Sequence, residues 1–130
     1  MMTRLGTVIA CTALVVGCAS EVQRRPVEFT AGIAELGQRF TTTAFIELRP
    51  DSGYARSIPS GTEFVAIGRI AAGLVLKPTN SVLTLEGKHM HEAYAVRDRD
   101  RLVGLYLPAE QAYAALRNPP AMPLQERKDP

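Results

Sequence analysis

The spacing of turn residues constrains this chain more than any other feature. Arg49-Pro50-Asp51-Ser52-Gly53, Pro59-Ser60-Gly61, Ala71-Ala72-Gly73, Gly87-Lys88 and Arg97 to Arg101 interrupt it roughly every 8–12 residues. Proline presets φ, aspartate accepts local backbone bonds and glycine permits φ > 0, so each cluster reads as a turn. The segments between them are rich in β-branched and aromatic residues: Phe40 to Leu48, Thr62 to Ile70, Leu74 to Leu76, Ser81 to Glu86, His89 to Val96 and Leu102 to Leu107. That pattern predicts a mainly β domain, a small antiparallel barrel or sandwich. Within Thr62 to Ile70, the residues Phe64, Ala66 and Ile70 fall on one face and Val65 and Ile67 on the other, which predicts a strand covered on both sides. Gly87-Lys88 suits a tight hairpin.

Two stretches carry a helical signal. Ile33, Leu36 and Phe40 recur at i, i+3 and i+7 within Gly32 to Phe40, weakened by two glycines. After Pro108, Ala109 to Arg117 has high helix propensity, with Ala112, Tyr113 and Leu116 on one face and Pro119-Pro120 as a stop. The expectation is one short C-terminal helix closing an end of the β-domain. Asn118 to Pro130 is proline-rich and charged, a composition that predicts disorder.

The amino-terminal region follows different rules. Arg4 precedes an apolar or small-residue run from Leu5 to Val16, which is the layout of a signal peptide. A membrane span needs about 20 apolar residues, and this run is too short. It ends in Val15-Val16-Gly17-Cys18, which resembles the lipobox of bacterial lipoproteins, with Val15 in place of the usual leucine. The resemblance covers only this region. It implies thioether lipidation of Cys18, cleavage after Gly17 and acylation of the new amino terminus. Ala19 stands where an inner-membrane retention signal has aspartate, which by the same resemblance implies the outer membrane; the domain is expected to face the periplasm. Gly17-Cys18-Ala19 also fits an ordinary secretory cleavage. Cysteine arithmetic favours the lipid: of two cysteines, Cys11 lies in the removed segment, and lipidation accounts for the unpaired thiol that remains. The predicted organisation is therefore a signal peptide over 1–17, a lipidated tether over 18–26, a β-rich domain over 27–117 and a disordered tail over 118–130.

Charge and motifs exclude several functions. The chain has 15 basic and 13 acidic residues, a net +2. Nucleic acid is not expected as a partner, because phosphate binding calls for a concentrated basic face. The sequence holds no phosphate-binding glycine loop, dinucleotide fingerprint or Cys-x-x-Cys pair. No serine lies in a Gly-x-Ser-x-Gly elbow and no carboxylate pair stands out, so we expect neither catalysis nor a cofactor.

His89-Met90-His91 is the most suggestive cluster, since strand residues i and i+2 share a face and two imidazoles suit Zn²⁺ or Cu²⁺. A catalytic zinc needs three protein ligands, and Glu86 across the hairpin is the nearest further donor. Two half-exposed histidines in a sheet is the simpler reading. Arg97-Asp98-Arg99-Asp100-Arg101 reads as a solvated hairpin tip, and Tyr54, Tyr94, Tyr106 and Tyr113 as core aromatics. The functional expectation is a lipid-anchored envelope protein whose β-domain binds or stabilises a protein partner through a sheet edge or barrel mouth. The alternative is a metal- or small-ligand-binding lipoprotein using His89 and His91.

Overall fold

A computed structural model describes residues 22–51 and 54–128. In chain order its strands are β1 (Arg25–Pro26), β2 (Arg39–Thr42), β3 (Ile46–Leu48), β4 (Arg56–Ile58), β5 (Glu63–Ile70), β6 (Gly73–Pro78), β7 (Thr84–Glu86), β8 (Met90–Glu92), β9 (Tyr94–Asp98), β10 (Arg101–Leu107), β11 (Ala112–Ala115) and β12 (Leu124–Arg127). Eight of them form one antiparallel half-barrel sheet in the order β1-β11-β10-β9-β6-β5-β2-β12. The other four make two hairpins, β3–β4 and β7–β8.

The long central strands are apolar on both faces. One face carries Phe64, Ala66, Leu76, Ala95 and Leu105, packed against Ile46, Leu48, Ile58, Leu83 and Leu85 of the hairpin layer. The other carries Val75, Val96, Tyr106 and Tyr113, packed against Val27 and Phe29 of the N-terminal segment. The prediction that β5 is covered on both sides is correct. Its face assignment changes at one residue: the register shifts between Ala66 and Gly68, so Ile70 joins the tyrosine face instead of sharing that of Phe64. Such a bulge bends the strand and strengthens its twist. A second register shift lies between Leu102 and Gly104 in β10. At both bulges an aromatic ring fills the space of a missing side chain. A Cβ on Gly68 would stand 2.3 Å from the Phe29 ring, and one on Gly104 2.4 Å from the Tyr113 ring.

The two ends of the described chain each cross one face of the sheet. Residues Arg25 and Pro26 pair with β11, and Thr30 pairs with Arg69 of β5, so one short segment spans the tyrosine face from β11 to β5. On the opposite face, Ala121 bridges Arg101 of β10, and β12 then pairs with β2. The link before β5 is fixed by two threonines. The Thr42 and Thr62 hydroxyls both donate to the Pro59 carbonyl, at 2.8 and 2.7 Å, and the Thr62 amide donates to the Thr42 hydroxyl at 2.9 Å. These buried groups are therefore satisfied.

Four expectations are corrected. The short C-terminal helix is absent: Pro108 to Gln111 form a turn, with Gln111 at φ 50°, and Ala112–Ala115 is strand β11. Tertiary packing overrides helix propensity here, because both faces of β11 are buried and alanine fits opposite Leu105 and Leu107. Residues 32–40 form no helix either; a turn over 34–37 ends at Gly37 (φ 84°), whose amide donates to the Ala66 carbonyl. The C-terminal stretch expected to be disordered is integral through Arg127. Met122 is fully buried, and the prolines there act as acceptors, Pro120 from the Leu102 amide and Pro123 from the Thr43 amide. The domain also begins earlier than predicted, since Val22 is already part of the core.

Met122→Ala is expected to cost about 2–5 kcal/mol in urea denaturation, the range for a fully buried side chain; a disordered tail would give no change. Gly104→Ala is expected to cost about 1–3 kcal/mol through overpacking against Tyr113.

Candidate functional site

The hairpin layer is where this chain departs from burying its apolar residues. The two hairpins are linked at one point, where the Arg56 guanidinium of β4 reaches the Glu86 carboxylate of β7 at 2.5 Å. A small cavity of about 70 Å³ is lined by Ile58, Pro59, Val82 and Leu83. The large apolar side chains left exposed among the described residues are Leu36, Phe45, Tyr54, Val82 and Met90. All but Leu36 sit on or beside these two hairpins. Phe45 and Val82, 64% and 79% exposed, flank the end marked by Ile58 and Pro59. Tyr54 and Met90 belong to the end marked by Arg56 and Glu86.

The histidines are separated by local geometry. Cross-strand partners share a face, so His91, opposite the buried Leu85, is turned toward the core and its side chain is 9% exposed. Its Nδ1 meets the carboxylate of Glu110, from the turn after β10. That contact ties the β7–β8 hairpin to the main sheet. His89 is exposed in the 87–89 link, outside β8, because the link is one residue longer than Gly87-Lys88 alone. Glu86 is taken by Arg56. Among the described residues no group of three or more His, Cys, Asp and Glu could hold a metal ion.

The tyrosine face is mostly core. Phe29 stacks on Tyr106 with centroids 5.3 Å apart, Tyr94 lies 6.4 Å from Tyr106, and the Tyr113 hydroxyl donates to the Val103 carbonyl at 3.0 Å. Burial raises the hydroxyl pKa of all three, with Glu92 adding to the effect at Tyr94. Tyr54, grouped with them in the sequence, is exposed. At the rim of this face an open groove of about 580 Å³ runs between the N-terminal segment and the β5–β6 turn, lined by Arg25, Val27, Ile33, Arg69 and Ile70. Arg69 is already paired with Glu35 at 3.2 Å.

The alternating charges at 97–101 do more than solvate a tip. Asp98, Arg99 and Asp100 are exposed, but Arg97 donates to the Met122 carbonyl at 3.0 Å and Arg101 to that of Pro119 at 3.1 Å. Sequence reading missed these roles, as it missed Glu110 and Arg56, because their partners lie far away along the chain. Cys18 falls outside the described residues. Comparison with protein-family models, curated proteins and solved structures returned no match.

Two measurements follow from this geometry. The raised tyrosine pKa values mean that the folded state keeps protons the unfolded state releases above about pH 10, so stability should hold below that pH and fall as it rises further. Denaturant midpoints followed with tyrosinate absorbance across that range should show the decline. With Nδ1 of His91 facing Glu110, zinc titration of wild type and His91→Ala should give equal, weak binding; a tight site lost in the variant would restore the metal reading.

Proposed function

We propose that this chain is a lipid-anchored envelope protein of the outer membrane, facing the periplasm, whose β-domain binds a protein partner and catalyses no reaction. The address rests on Val15-Val16-Gly17-Cys18 at the end of a signal-length apolar run. The observation that carries the binding role is the exposure of Val82, which lines the cavity with Ile58 and Pro59, and of Phe45, which precedes the Ile58 partner Ile46 in β3. Aromatic and aliphatic anchors beside a pocket are what a partner's hot spot packs against. The edge strand β12 is a poorer candidate, because it is polar and charged (Gln125, Glu126, Arg127) and Arg127 is paired with Glu63.

Mild detergent extraction should co-purify a partner with wild type and lose it with Phe45→Asp/Val82→Asp, while the denaturation midpoint stays unchanged. Recovery of the same proteins with both chains would refute the surface. Cys18→Ser should move the protein from membranes to the soluble periplasmic fraction.

A further inference from the structure

The distance from the anchor to the folded core fixes which end of the domain meets the bilayer. This rests on lipidation of Cys18, as proposed above. Val22 is buried in the core, and four Cα–Cα steps of at most about 3.6 Å reach only about 14 Å. The surface around Val22 is therefore held against the membrane, with little freedom to turn away.

That surface can be traced through contacts. Val22 and Arg24 line one depression with Glu110, and Glu110 meets His91 of the β7–β8 hairpin. Arg24 lines another with Asp51, which follows β3 and pairs with Arg117 at 3.5 Å. The two hairpins present the same end here, since Arg56, opposite Leu48, meets Glu86, opposite Met90. Arg24, Arg49, Lys88 and His89 are exposed at this end, together with Tyr54 and Met90. Its acidic groups Asp51, Glu86 and Glu110 each face a basic partner, Arg117, Arg56 and His91.

We infer that this end of the hairpin layer docks onto anionic phospholipid headgroups, with Arg24, Arg49 and Lys88 on the phosphates and Tyr54 and Met90 at the interface. Three features agree: the short reach to the anchor, exposed cations among which the carboxylates of Asp51, Glu86 and Glu110 are already paired, and an amphipathic aromatic residue beside a flexible apolar one. That pairing leaves Glu47 and Glu92 as the nearby exposed acids. Docking by this end leaves Phe45 and Val82, at the other end of the same layer, free for a partner.

The test uses the mature lipidated chain in phosphatidylglycerol-containing and in phosphatidylcholine vesicles. Its one remaining cysteine is blocked by lipid, so single-cysteine variants His89→Cys and Ser60→Cys can each be labelled with a fluorophore, with quenchers carried by the lipid headgroups. The label at 89 should be quenched in phosphatidylglycerol and the label at 60 should not. Adding Arg24→Gln and Lys88→Gln should weaken docking about fivefold for each cation removed, and only in the anionic vesicles. Equal quenching at both positions, with the lipid confirmed by mass, would overturn the docking and leave lipidation standing. Shielding of position 89 in native envelopes but not in vesicles would overturn it in favour of a protein. Labelling of wild type at Cys18 would remove the anchor and the inference together.

Discussion

A sheet that is apolar on both faces must be covered twice, and this requirement organises the whole molecule. The Val75 and Val96 pair on one side of the central strands and the Leu76 and Ala95 pair on the other would each expose a greasy surface if left bare. The chain supplies one cover from its two small hairpins and the other from its N-terminal segment. Its last described strand then completes the edge beside β2. The bulges at Gly68 and Gly104 serve the same end. They bend strands that would otherwise lie flat, and their missing side chains admit the Phe29 and Tyr113 rings close to the backbone.

Much of this was legible in the sequence, for a physical reason: turn chemistry and period-2 alternation are local. The turns at 59–61 and 71–72 and the strands on either side of them are set by neighbouring residues, so β5 and β6 fall close to where they were expected. What is set by distant residues was not legible. Ala112 to Leu116 has the composition of a helix, yet Ala112 and Ala114 face one core while Tyr113 faces the other, a strand alternation written in small residues. Asn118 to Arg127 reads as polar, and only Met122 and Leu124, two positions apart, hint at a buried edge. The bulge that sends Ile70 across the sheet leaves no mark beyond one glycine.

The surface repeats the lesson. His89 and His91 looked like a pair because they are two apart, but a link one residue longer leaves the first in solvent while the second meets Glu110. The exposed Phe45, Val82, Tyr54 and Met90 were individually unremarkable in the sequence. They become informative only once the hairpins that carry them stand side by side, with apolar residues exposed at both ends and an ion pair between β4 and β7.

The position of β12 bears on how such a chain reaches its native state. Its pairing with β2 joins residues more than eighty positions apart in the sequence, Leu124 with Thr42 and Arg127 with Arg39. A ribosome makes β12 more than eighty residues after β2, so β2 waits through the synthesis of all that lies between them with one edge unsatisfied. Late, non-local closure of this kind slows folding and lengthens the time for which a sticky edge is open to other chains. The same delay keeps the polypeptide loose while it is still being made, the condition in which a chain can be threaded through a narrow passage.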